Sequence, residues 1–122
     1  MVGDAMDIML YLQRLGLTRY QSSVLSTILT KQNTTALEIS DITSVPYTKI
    51  YSVLDSLRYM GFVEADLERP MRFRATQLEG IVEQLVKKHS SALSRIKRVG
   101  EELKMAYKPG SDEFHPLIRK AI

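Results

Sequence analysis

The side chains best suited to chemistry are cations and hydroxyls crowded into two short stretches. Arg69, Arg72 and Arg74 fall within six residues, with Pro70 stiffening the segment between them. Tyr47, Thr48, Lys49, Tyr51 and Ser52 form the second cluster, also within six residues. Guanidinium groups present forked donors that match phosphate oxygens, while short hydroxyls and phenols reach base edges and phosphates. This is equipment for holding a nucleic acid. Bond-making equipment is missing: there is no cysteine, and the only histidines are His89 and His115, neither near a serine or acid suited to it. Thiolate nucleophiles, disulfides and cysteine-ligated zinc are thereby excluded. No glycine-rich phosphate loop or paired-histidine metal motif is present. The sequence therefore predicts a protein that is not an enzyme, with no cofactor, no metal and no evident small-molecule effector.

Charge alone does not settle the partner. The 122 residues carry seventeen Lys and Arg against fourteen Asp and Glu, a net +3, yet residues 34–75 hold five basic and six acidic side chains. Nucleic-acid binding must then depend on where particular cations point, because counterion release follows local phosphate contacts. Glu64, Asp66 and Glu68 stand beside the arginine cluster and argue against phosphate contact. With no apolar run long enough to span a membrane and no basic-then-apolar start, the expected location is the cytoplasm.

These residues must be positioned by elements, and the punctuation of the chain outlines them. Asp4–Leu15 has apolar residues at three- and four-residue steps and reads as an amphipathic helix stopped by Gly16, with Ile8, Met9 and Leu12 as its apolar face. Thr18 with Gln21 is a capping box opening a second helix, whose buried stripe is Tyr20, Val24, Leu25, Ile28 and Leu29. Asn33, Thr34 and Thr35 break it. Thr35 with Glu38 opens a short helix with apolar Leu37, Ile39 and Ile42, and Pro46 suits the first position of a further helix running to Met60, which Gly61 stops. Two short helices joined by so tight a turn are a helix-turn-helix pattern.

In the second of them, Ile50, Val53, Leu54 and Leu57 make the inner face, so Thr48, Tyr51, Ser52, Asp55 and Tyr59 point outward at 100° per residue. Thr48 and Ser52 suit base edges, Tyr47 and Tyr51 suit phosphates on the groove walls, and Lys49 lies toward the flank. Phe62–Glu64 and Met71–Ala75 read as a hairpin around Leu67–Pro70, with Met71, Phe73 and Ala75 inward and Arg72 and Arg74 sharing the outer face. That hairpin is a wing.

Thr76 with Glu79 is a third capping box, and the helix it opens has a heptad seam of Leu78, Val82, Leu85, His89, Ala92, Ile96, Val99, Leu103 and Ala106. Over Gln77–Tyr107 it would be roughly 45 Å long, more than the small domain before it could cover. One polar seam residue such as His89 serves to fix register. The fold class expected is mainly α with a small β-hairpin wing, a winged helix-turn-helix followed by a long coiled-coil helix. Its parts are residues 1–17 as an N-terminal helix supporting dimerisation, 18–75 as the winged domain, 76–107 as the dimerisation helix and 108–122 as a tail. In the tail Phe114, Leu117, Ile118 and Ile122 could dock, and His115 beside Pro116 is a turn residue.

Leu15-Gly16-Leu17-Thr18-Arg19-Tyr20, Ile39, Val45-Pro46-Tyr47-Thr48-Lys49-Ile50-Tyr51, Leu57, Gly61-Phe62-Val63-Glu64 and Arg69-Pro70-Met71-Arg72-Phe73-Arg74-Ala75 together resemble the N-terminal domain of the TrmB-type archaeal transcriptional regulators. The resemblance spans about residues 15–107. It implies a winged helix-turn-helix that binds double-stranded DNA as a homodimer through helices following the wing, with Thr48, Lys49, Tyr51 and the wing arginines on the DNA. Larger members carry a C-terminal sugar-sensing domain, and a chain ending at Ile122 is expected to be a short relative without it. A pseudo-palindromic operator would follow from two-fold symmetry. Two other readings stand beside this one: a winged-helix module that binds a protein through its acidic strand and apolar tail, and an abundant, weakly specific chromatin-type DNA binder.

Overall fold

The computed structural model describes residues 5–110, and the docking and turn roles expected of Phe114, His115, Leu117, Ile118 and Ile122 lie outside them. The elements run α1 (Ala5–Arg14), α2 (Arg19–Lys31), β1 (Thr34–Thr35), α3 (Ala36–Ile42), α4 (Tyr47–Tyr59), β2 (Val63–Asp66), β3 (Arg72–Ala75) and α5 (Leu78–Ala106). The described residues divide into two compact units, the first ending at Val86 and the second beginning at Lys87, within α5. The fold is a winged helix-turn-helix with a small antiparallel sheet and a long final helix, as the sequence predicts.

Two glycines end helices in the same way. Gly16 (φ 104°) and Gly61 (φ 81°) adopt left-handed conformations that a Cβ disfavours. Gly16 N donates to Gln13 O and Leu17 N to Leu12 O, while Gly61 N donates to Arg58 O and Phe62 N to Leu57 O. These paired bonds satisfy carbonyls that a helix end leaves open. In each case the residue after the glycine and its carbonyl partner are both buried, which sends the chain back into the core.

α2 begins as its capping box predicts: Thr18 Oγ1 accepts from Gln21 N at 3.1 Å and Gln21 Oε1 accepts from Thr18 N at 3.0 Å. Gln21 also donates through Nε2 to Ser56 Oγ at 3.3 Å, tying α2 to α4. Val24, Leu25 and Ile28 are fully buried, whereas Tyr20 is exposed and only Leu29 of the remaining stripe packs on the core. The chain leaves α2 through Gln32 and Asn33, both at positive φ, and enters a strand that sequence patterning reads only as a break. β1 pairs with β3, Thr34 opposite Phe73 and Thr35 opposite Arg72, so the sheet has three strands in the order β1-β3-β2.

The other two capping boxes are not closed. Thr35 Oγ1 accepts from Glu38 N, but the Glu38 carboxylate accepts from the Thr34 hydroxyl at 3.0 Å, because Thr34 is fully buried and its hydroxyl needs a partner. Thr76 donates to the carbonyls of Gly61 and Phe62, fastening the end of β3 to the start of β2 rather than capping α5. On α3, Ala36 and Ile39 take the one buried face that two helical turns allow, and Leu37 and Ile42 are exposed.

The recognition-helix pattern is as expected, with Ile50, Val53, Leu54 and Leu57 buried and Pro46 as the N-cap, one position ahead of the helix it was expected to start. Phe73 is buried with Met71 and Ala75 packed against the same core.

The expected seam of α5 needs a correction at its start. Ile81 and Leu85, one turn apart, are buried in the core of the winged unit. Leu85 is therefore unavailable to a second chain, and Val82, one position from Ile81, is only half buried. Leu78 is exposed. Beyond residue 86, His89 is exposed, Ala92 is half buried, and Ile96, Val99 and Leu103 are 67%, 59% and 59% exposed. On α1 the expected apolar face is turned inward, with Leu12 buried and Ile8 packed on the core, while Met6, Leu10 and Tyr11 are exposed. No helix among the described residues is long and apolar enough to cross a membrane.

Candidate nucleic-acid interface

Fixing one side of α4 in the core leaves its other side as a polar surface of set orientation. Tyr47, Thr48, Lys49, Tyr51, Ser52, Asp55 and Tyr59 are all exposed. The rings of Tyr47 and Tyr51 meet edge to face, with centroids 6.1 Å apart and planes at 86°. This arrangement suits the quadrupoles of both rings. A side-chain hydrogen bond with Tyr47 pushes the Tyr51 phenol above the usual tyrosine range, and desolvation adds to the shift. Tyr51 is thus neutral throughout the physiological range.

Ser52 donates its hydroxyl proton to Lys49 O at 2.9 Å. It can still accept through its lone pairs, from the amino group of cytosine or adenine. The Thr48 hydroxyl makes no hydrogen bond to a described residue, so both its donor and acceptor capacity are open. Asp55, a cost near phosphates, lies 3.9 Å from Arg58 one turn on, an exposed pair that offsets little of its charge.

The wing arginines differ more than alternation predicts. Arg74 Nε lies 3.6 Å from Glu64 Oε2, its register partner across the hairpin, with both side chains more than half exposed. Arg72 bends the other way: its Nη1 donates to Asn33 O at 3.1 Å. The unforeseen strand β1 explains this, since it brings the turn after α2 alongside β3 and offers a carbonyl there. Asp66, opposite Arg72, instead accepts from Glu68 N within the turn. Arg69 is exposed and makes no ion pair with a described residue. The three arginines are close in sequence but occupy a free tip, an ion-paired flank and a backbone staple. Asn33 is the residue the sequence reading missed here; two β-branched threonines after a polar break were the signal for the strand.

Among the described residues no cluster of potential metal ligands occurs. The seam residues Ile96, Val99 and Leu103 form a separate apolar surface on the second unit.

The profile of the family described as "Sugar-specific transcriptional regulator TrmB" matches residues 12–79, from the last turn of α1 to the first turn of α5. The HTH-type sugar sensing transcriptional regulator TrmBL1 of Pyrococcus furiosus is 31% identical over 97 residues, covering 80% of this chain and 28% of the relative. The chain thus spans less than a third of that relative's length. The structure of TrmBL2, an archaeal chromatin protein, superposes with a TM-score of 0.69 at 18% identity, covering 97% of this chain and 43% of its own. A MarR family transcription regulator, SP03579, gives a TM-score of 0.52 at 18% identity over 83% of this chain and 72% of its own. These two likenesses show a shared fold. The residues matched include both helices of the helix-turn-helix and the whole wing, and the chain belongs to the TrmB family of transcriptional regulators.

Proposed function

We propose that this protein is a sequence-specific regulator of transcription that binds double-stranded DNA as a homodimer. Each α4 would enter a major groove with Thr48 and Ser52 at base edges. Tyr47, Lys49 and Tyr51 would lie on the groove walls, and the wing would rest on the flanking backbone or minor groove. The observation that carries the reading is the polar face Tyr47–Ser52, held rigidly outward by Ile50 and Leu54 beside an arginine-bearing hairpin. Two-fold pairing through the exposed Ile96, Val99 and Leu103 would present two such faces, so a pseudo-palindromic operator is expected, with half-sites roughly 10 or 20 bp apart. The acids beside the wing arginines temper general phosphate affinity and leave more of the discrimination to α4.

Electrophoretic mobility shifts over a salt series, with DNA from beside the protein's own gene and with random DNA, test the reading. Preference for particular sequences supports it. Equal affinity for all sequences points to chromatin-type binding, and no shift at low salt points to a protein-interaction module.

Two substitutions separate positioning from reading. Thr48→Ala should change sequence preference, costing about 1–3 kcal/mol at the contacted base pair and little on random DNA. Equal losses on both DNAs would remove Thr48 from base readout. Arg74→Ala should weaken binding uniformly and lower the salt slope by about one unit. Glu64→Gln, which frees Arg74, should strengthen binding to both DNAs. Unchanged affinity in both variants would take this flank of the wing off the DNA.

A further inference from the structure

We infer that the cavity between α1, α2 and the turn leading into α4 binds a small organic carboxylate with an apolar body. The cavity measures about 230 Å³. Met6 and Met9 of α1 line one side and Ile42 and Val45 another, while Arg19 and Ser23 of α2 contribute polar groups. Met6 and Ile42 are 61% and 50% exposed, so part of this apolar wall is open to solvent. Ligand sites characteristically combine apolar walls with a few convergent polar groups.

The polar groups specify the charge. Among the described residues no carboxylate lines the cavity, and Arg19 makes no ion pair with any of them. The buried hydroxyls of Ser26 and Thr27 both donate to Ser23 O, at 3.0 and 2.9 Å, so toward a ligand they can only accept. Donors remain on Arg19 and on the hydroxyls of Ser23 and Ser44, which bond to no described residue. A cation and free donors beside methionine and isoleucine fit an anion carried on hydrocarbon. The volume lies below the range typical of drug-sized sites, which limits the occupant to roughly a dozen non-hydrogen atoms.

The site also has a route to α4. Its wall includes Thr43, Ser44 and Val45, where Thr43 Oγ1 donates to Ile39 O and accepts from Val45 N. α4 begins two residues after Val45. An occupant that binds better to one arrangement of this turn shifts the aim of α4 by that difference in affinity. This second step rests on the DNA-binding reading above; the binding site itself does not.

The test is a titration of the ¹⁵N-labelled full chain with hexanoate, cyclohexanecarboxylate and 3-phenylpropanoate, each beside its neutral amide and at matched ionic strength. At least one acid should shift the amide signals of Ser23, Thr43 and Ser44 saturably, with Kd of about 1 mM or below and about tenfold tighter than its amide. Arg19→Gln, a change at an exposed helix start, should leave the remaining spectrum in place and erase the difference between acid and amide. Absence of saturable shifts below about 10 mM, equal binding of acids and amides, or an unchanged preference in Arg19→Gln would each overturn the site. The acid that binds should also alter mobility shifts with the preferred DNA. If the protein binds no DNA, the functional proposal fails while the titration still decides the site; if the titration fails, DNA binding is unaffected.

Discussion

Ile96→Glu with Leu103→Glu should convert the protein to a folded monomer and lower its affinity for a two-half-site operator by roughly 100- to 10,000-fold. Both residues lie on the apolar stripe of the second unit, and both are more than half exposed in the single chain. With Val99 and the half-buried Ala92 they form a strip of a kind that soluble monomers rarely leave open. A carboxylate at two of its positions would have to be desolvated on pairing, a cost that a two-helix seam cannot absorb. The loss on DNA follows from valency. One half-site bound alone forfeits the effective concentration that the second, tethered half-site supplies. Sedimentation at micromolar concentration and mobility shifts with one-site and two-site DNA measure the two effects together. An unmodified protein that sediments as a stable monomer would remove both the dimer and the palindrome. Leu85 is the wrong place for this experiment, since it is 2% exposed within its own chain and a charge there would report on folding.

The contrast between Leu85 and Ile96 shows what a sequence can carry. Heptad spacing identifies which residues share a helix face, but not what covers the face. Leu78 to Ala106 is regular throughout, yet the winged unit claims Ile81 and Leu85. Features that depend only on neighbours in the chain were legible: the Thr18 box, the stops at Gly16 and Gly61 and the inner face of α4 all follow from local hydrogen bonding and helical period. The boxes at Thr35 and Thr76 were not, because their hydroxyl partners were decided by tertiary neighbours. Thr34 competes for Glu38, and the carbonyls of Gly61 and Phe62 claim Thr76. The same holds for the candidate interface. The outward set on α4 was readable from period alone, whereas the fate of Arg72 depended on Asn33, 39 residues away, through a two-residue strand with too little pattern to announce itself.

Phe73→Ala should cost about 3–5 kcal/mol, the range for truncating a buried aromatic side chain. Phe73 is 1% exposed and sits on the central strand of the sheet, opposite Thr34 of β1 and Ala65 of β2. Its ring therefore anchors the strand that carries both Arg72 and Arg74, and the space it leaves cannot be refilled by Thr34 or Ala65. Domains of this size are stable by about 5–15 kcal/mol, so the loss is a large fraction of the whole. Urea denaturation must be run at one protomer concentration for all variants, since pairing would add its own free energy to the folded state. Arg72→Ala is the comparison: it removes one partly exposed hydrogen bond on the same strand and should cost no more than about 1.5 kcal/mol. With the chain still folded at low urea, Phe73→Ala should also weaken DNA binding through a loosened wing, which Arg72→Ala would do only through its lost charge. A cost below about 1 kcal/mol for Phe73→Ala would mean that β3 is held by its neighbouring strands rather than by its ring in the core.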